Sequence, residues 1–158
     1  MSILIIGIIF AMNKKRIMAR IKDIQEEIID EFSMFEDWMQ RYEYMIDLGK
    51  SLPLIDDQYK TDEYIIKGCQ SKVWVHAEMQ DEKVHFTADS DAIITKGIIA
   101  ILIRAFSGQS PQDILDADTQ FIDVIGLKEH LSVTRANGLV SMIKQIKLYA
   151  VAYQTQLN

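Results

Sequence analysis

The chain has 158 residues, the size of one domain, and 49 % of them are apolar, which is enough to bury a sizeable core. Its net charge of −6 comes without any long basic run, which argues against a nucleic-acid groove, since phosphate binding needs concentrated lysine and arginine. The single cysteine, Cys69, excludes an internal disulfide and any cysteine cluster that could hold zinc or an iron–sulfur centre by itself.

The first run, Ser2 to Met12, is almost wholly apolar. It is shorter than the roughly 20 residues a membrane-spanning helix needs. It also lacks the positive charges that precede the apolar part of a secretory signal; Lys14, Lys15 and Arg16 come after it instead. Residues 1–17 are therefore expected to lie outside the functional domain, which is placed at 18–158. Met12 and Met18 are alternative first residues if the start is assigned upstream of the true one, and a membrane-surface anchor is the other reading of this stretch.

From Ala19 to Leu48 the apolar positions Ile21, Ile24, Ile28 and Phe32 recur at helical spacing. Ser33 with Glu36 reads as a capping box that starts a second helix, with Met39, Tyr42, Met45 and Ile46 on its apolar side. Gly49 is expected to end that helix in a left-handed conformation, and Pro53 to prevent its continuation. Leu54 to Glu63 reads as a loop.

The period then changes. Tyr64, Ile65 and Ile66 form a short β-prone run ending at Gly68. Val73, Val75, Ala77 and Met79 alternate with polar partners, as do Val84, Phe86 and Ala88, and Asp81-Glu82 between them is a two-residue hairpin loop. This places His85 across from Glu78 as a cross-strand partner, and His76 across from Thr87. Asp89, Ser90 and Asp91 read as the capped start of a helix over Ala92 to Phe106, which is apolar nearly all round and so buried. Gly97 allows that helix a close neighbour.

Ser110-Pro111 opens another helix, a short one spans Phe121 to Ile125 and stops at Gly126, and the last runs from about Ser132–Thr134 to Tyr153. Its buried side carries Leu139, Met142, Ile143, Ile146 and Tyr153. Helices, a small antiparallel sheet of about three strands, then helices again make an α+β class, with the sheet packed against N- and C-terminal helices.

Cys69 falls in a connection between two β-prone runs, in Gly68-Cys69-Gln70-Ser71-Lys72-Val73-Trp74. Gly68 permits an unusual backbone shape there, and Lys67 and Lys72 would favour the thiolate, the nucleophilic form. The residues alone leave two readings: a reactive loop thiol, or a cysteine packed at a strand end. His130 could serve Cys69 as a base, or pack beneath the helix junction it precedes. Arg135 opens the last helix, where a positive charge is unfavourable, so it either pairs with a carboxylate or reaches toward a thiolate or a partner.

Four blocks carry a resemblance to the SufE family of sulfur acceptors: Leu48-Gly49-Lys50-Ser51-Leu52-Pro53; Gly68-Cys69-Gln70-Ser71-Lys72-Val73-Trp74; Ala88-Asp89-Ser90-Asp91-Ala92 running into Lys96-Gly97-Ile98-Ile99-Ala100; and His130-Leu131-Ser132-Val133-Thr134-Arg135. They stand in the family's order, from about Ile24 to the end, with Val133 where the family usually has proline. The resemblance implies a cytoplasmic sulfur carrier for iron–sulfur cluster assembly. Its partner is a cysteine desulfurase, which uses pyridoxal phosphate while this chain binds no cofactor and no metal; its onward partner is a cluster scaffold or another sulfur acceptor. Cys69 would take the sulfur as a persulfide, supported by Gly68, Gln70, Ser71, Asp91 and Arg135. No turnover is expected without the desulfurase, and neither nucleic acid nor membrane is expected as a partner. Two rival functions are a non-covalent adaptor that only stimulates a desulfurase, and a stand-alone thiol hydrolase using Cys69 and His130. Loss of residues 1–17 would remove three positive charges and take the net charge from −6 to −9, as suits a soluble carrier.

Overall fold

The strict alternation after the cysteine folds into a hairpin. In the computed structural model, which describes residues 2–9 and 20–157, strand β1 (Val73–Gln80) pairs antiparallel with β2 (Lys83–Ser90). The register sets His76 opposite Thr87 and Glu78 opposite His85, as the alternation requires. Asp81 and Glu82 form the loop with φ of 52° and 62°. Two successive left-handed residues are what a tight primed turn demands, and this turn takes them without a glycine. Val73, Val75, Ala77, Val84, Phe86 and Ala88 give the hairpin one buried face.

The expected third strand shrinks to isolated bridges. Ile65 pairs once with Trp74, and Leu54 pairs once with Ala88. The run Tyr64 to Ile66 is cut on one side by a 3-10 turn over Asp62–Tyr64 and on the other by Gly68, whose φ is +93°. Among the described residues the sheet therefore has two strands.

Helix α1 (Arg20–Ser33) and helix α2 (Trp38–Lys50) precede the hairpin. The cap of α2 is Asp37, whose carboxylate accepts from the Gln40 N–H at 2.8 Å, not the expected Ser33. Ser33 ends α1 and turns its hydroxyl back to donate to the Asp30 carbonyl. Met39, placed on the apolar side of α2 by its spacing, is 70 % exposed. Gly49 does not supply a left-handed stop either. It lies buried within α2, where a Cβ would stand 3.0 Å from the Gly97 nitrogen.

Gly97 belongs to helix α3 (Ile93–Phe106), and the two glycines let the α2 and α3 backbones touch. Helix α3 is buried over most of its surface and packs on β2 as well as on α2. Helix α4 (Pro111–Asp116) opens with Pro111 behind a Ser110 cap, as expected. Helices α5 (Gln120–Val124) and α6 (Leu127–His130) meet at Gly126, with φ +80°. The long helix α7 (Val133–Leu157) buries Gly138, Leu139, Met142, Ile146 and Ala150 and closes the core against α3 and α4. The architecture is α+β. Residues 3–9 are also helical, and every side chain from 2 to 9 is exposed. Met12, Lys14, Lys15, Arg16 and Met18 lie outside the described residues.

Candidate functional site

A six-residue loop, 67–72, projects from the end of the hairpin and is closed at its base by the Ile66 N–H donating to the Val73 carbonyl at 2.8 Å. Its far limb is clamped. Asp91 accepts from the Lys72 N–H at 3.0 Å through its carboxylate, and the Asp91 N–H returns a bond to the Lys72 carbonyl at 3.2 Å. The Ser90 hydroxyl donates to that same carbonyl at 2.8 Å. Asp89, Ser90 and Asp91 therefore do not cap α3, whose N-cap is Ala92 without a side-chain bond. Ser90 and Asp91 face back and tie the cysteine loop to the strand end.

Asp89 anchors this corner. Lys60 meets its carboxylate at 2.6 Å and Lys96 at 3.3 Å. Burial alone would raise its pKa, but hydrogen bonds from Lys60, the Ser90 N–H and Lys96 hold it below the usual carboxylate range.

The near limb of the loop turns at Gly68. A Cβ there would stand 2.5 Å from the Ser141 hydroxyl oxygen on α7, besides needing a left-handed backbone. That turn brings Cys69 onto the first turns of α7. The thiol is half-buried and its Sγ donates to the Gly138 carbonyl at 3.6 Å. Gly138 has no side chain to displace it: a Cβ there would stand 3.3 Å from Sγ.

Around Sγ lies a pocket of about 340 Å³, its open mouth included. Ile98 and Met142 form its apolar floor. Ser71 and Thr95 give it two hydroxyls, and Gln70, Thr134 and Arg135 stand at the exposed rim. The structure thus unites Cys69, Gln70, Ser71 and Arg135 in one pocket, with Gly68 and Asp91 setting the loop that carries the thiol. Lys67 and Lys72 do not lower the thiol pKa as expected. Burial pushes it up. The resting thiol is therefore protonated and shielded.

Arg135 makes no ion pair among the described residues, so the carboxylate partner considered for it is absent there. His130 stands apart from the pocket. Its ring stacks on Trp38 with centroids 3.8 Å apart, and Nδ1 lies 3.0 Å from the Gly126 carbonyl. This is the packing role at the helix junction, and it leaves Cys69 without a histidine base. Glu78, opposite His85 in register, turns along its own strand toward His76 at 3.7 Å, and His76 stacks on Tyr59.

Thr95, Gly138 and Met142 complete the pocket without having been singled out for it by sequence. Two of them carried a signal. Glycine inside a helix costs about 1 kcal/mol against alanine, so Gly138 marks a close approach. Thr95 is the only hydroxyl on α3, whose other polar residues, Lys96 and Arg104, are charged.

The family model described as SufE, an Fe–S metabolism associated domain, matches residues 26–150. An uncharacterised SufE-like protein of Rhizobium meliloti is 42 % identical over 127 residues, covering 77 % of this chain and 91 % of that one. SufE-like protein 1 of Arabidopsis thaliana, named as chloroplastic/mitochondrial, is 37 % identical over 127 residues, which is 80 % of this chain but 34 % of the plant protein. The solution structure of a hypothetical protein from Thermus thermophilus superposes with a TM-score of 0.70 over 84 % of this chain and 96 % of that one; at 19 % identity it shows the fold alone. Among the described residues no helix is long and apolar enough to cross a membrane. With the cysteine loop, its clamp and the buried helix all inside the matched span, the chain belongs to the SufE family, whose domain is associated with iron–sulfur metabolism.

Proposed function

We propose that Cys69 accepts sulfur as a persulfide from a cysteine desulfurase and passes it toward iron–sulfur cluster assembly. The observation that carries this reading is the placement of the chain's only thiol: on a clamped loop, half-buried over a pocket with room beside Sγ. In the transfer the Cys69 thiolate attacks the outer sulfur of the desulfurase persulfide. A new S–S bond forms at Cys69, the old one breaks, and the desulfurase thiolate leaves with the electron pair. Burial keeps Cys69 protonated at rest, so docking that draws the loop outward also frees the thiol to ionise. After transfer the loop returns, and the pocket shields the persulfide from water and oxidants.

The pyridoxal phosphate that releases sulfur from free cysteine belongs to the desulfurase, and this chain works as a cytoplasmic carrier without a cofactor of its own. The hydrolase alternative loses its base, because His130 is committed to Trp38 and Gly126. The non-covalent adaptor is separated by experiment. The protein is incubated with a desulfurase and cysteine, and its intact mass is read. One added sulfur, mapped to Cys69 and missing from Cys69→Ser, is the expected result. Full stimulation of the desulfurase by Cys69→Ser would establish the adaptor instead.

A further inference from the structure

Thr95 lies in the first turn of α3 and is 5 % exposed, more deeply buried than Ile94 and Lys96 on either side of it. A buried hydroxyl is unfavourable without a good hydrogen bond, a cost that a residue of the same shape with no oxygen would not incur. Among the described residues Thr95 has one side-chain partner, the Ser71 hydroxyl at 3.5 Å, which is the outer limit for such a bond. It makes no bond back to its own helix among the side-chain bonds formed there. Both hydroxyls line the pocket that holds Cys69 Sγ, above the apolar floor of Ile98 and Met142. The chain thus keeps a weakly satisfied donor in the lining of the pocket that Cys69 also lines.

We propose that the Thr95 hydroxyl, with Ser71 beside it, is the hydrogen-bond donor that holds the outer sulfur of the Cys69 persulfide in the pocket. This rests on the reading of Cys69 as a persulfide carrier. The outer sulfur of a persulfide ionises to an anion and accepts hydrogen bonds. A donor on α3 meets it from within the core, while the Ser71 donor arrives on the loop itself. Together they make the loop-in state the preferred one for the loaded protein, and not only for the empty one. Thr95 is a positioning residue: it keeps the transferred sulfur away from solvent until a partner draws the loop out.

The test loads the protein without any desulfurase. Inorganic polysulfide is attacked by the Cys69 thiolate; one S–S bond forms, another breaks, and a shortened polysulfide leaves with the electron pair. Excess is removed and loading is verified by intact mass. Dithiothreitol then reduces the persulfide, releasing the outer sulfur as sulfide and itself becoming the cyclic disulfide. Thr95→Val is expected to lose its sulfur about tenfold faster than the wild type, the size of one hydrogen bond to a charged group. Thr95→Ser is expected to restore the wild-type lifetime; Thr95→Val should hold or raise the unfolding midpoint, and Thr95→Ser, which loses a buried methyl, should lower it slightly. Equal lifetimes in wild type and Thr95→Val, a Thr95→Ser that behaves like Thr95→Val, or a wild type that retains no polysulfide sulfur would each overturn the proposal. The two readings fail separately. A desulfurase that cannot load the wild type removes the carrier function while the Thr95 effect on polysulfide-loaded protein stands; normal desulfurase loading with equal lifetimes does the reverse.

Discussion

Cys69 packs directly on Gly138: a Cβ there would stand 3.3 Å from Sγ, and Sγ donates to the Gly138 carbonyl at 3.6 Å. A helical glycine gives the thiol its seat, and the same backbone group supplies the acceptor for the resting S–H. The helix gives up stability for this, because glycine in a helix interior is about 1 kcal/mol worse than alanine.

Gly138→Ala separates the two effects. The new methyl would stand 3.3 Å from Sγ, and the thiol, on a loop, is the part able to give. The unfolding midpoint is expected to hold or rise slightly, while the rate of Cys69 alkylation by iodoacetamide rises several-fold as the sulfur is pushed outward. Slower alkylation would show that the sulfur does not sit against Gly138.

The pH dependence of Cys69 follows from its burial, which raises the thiol pKa. The fold prefers the neutral thiol. Its stabilisation is complete below the value of an unfolded cysteine, about 8.5, and is lost as pH rises through the folded value. Alkylation of the native protein should therefore reach half its maximal rate at a higher pH than alkylation of the urea-unfolded chain.

Glu31 behaves in the opposite sense. The Arg104 guanidinium hydrogen-bonds both of its carboxylate oxygens, one of them at 2.7 Å, and Tyr44 donates to it at 2.5 Å. The Arg104 bonds hold its pKa below the usual value. This stabilisation is present above about pH 4.3 and is lost as pH falls through the folded value. Glu31→Gln should lower the urea midpoint at pH 7 and flatten its fall in acid.

Arg135 tests the rim of the pocket. It is exposed and has no ion pair among the described residues, so removing it should leave the unfolding free energy within about 0.5 kcal/mol. Its charge near the thiolate is worth on the order of 1 kcal/mol, about fivefold in the rate of sulfur acceptance. Arg135→Ala with unchanged transfer and a lowered midpoint would make it structural.

The amino-terminal stretch tests the domain boundary. Its helical residues 3–9 leave their apolar side chains exposed, and the family match begins at residue 26. A chain of residues 18–158 should unfold at the same midpoint as the full chain and accept sulfur equally well. A lower midpoint would place residues 1–17 in the domain.

The hairpin, the buried helix and the cysteine loop were legible in the sequence because each rests on local signals: period-two alternation, a long apolar run, a glycine beside a lone thiol. The functions of Gly49 and of Ser90-Asp91 were not. Both carry the local signature of a helix end, and tertiary contacts reassign them, one to a backbone crossing and the other to a loop clamp. The third strand failed for a related reason. Tyr64 to Ile66 has strand composition, but the neighbouring turns leave room for one bridge. The pocket was half legible: Cys69, Ser71 and Arg135 lie in matched blocks, while the signals at Thr95 and Gly138 gain their meaning only once α3 and α7 are placed beside the loop.

The glycine crossing of α2 and α3 has a consequence for the sulfur itself. Where main chains touch, as at Gly49 and Gly97, the height of one helix on the other is fixed by atoms that have no rotamers to explore. Thr95 precedes that contact by two residues, so its position is inherited from the crossing and not from the loop. The back wall of the pocket is thus set by the helix crossing and not by the loop. Under the proposed function, a thiol that leaves empty and comes back loaded meets the same surface, and the core needs no rearrangement between one delivery and the next.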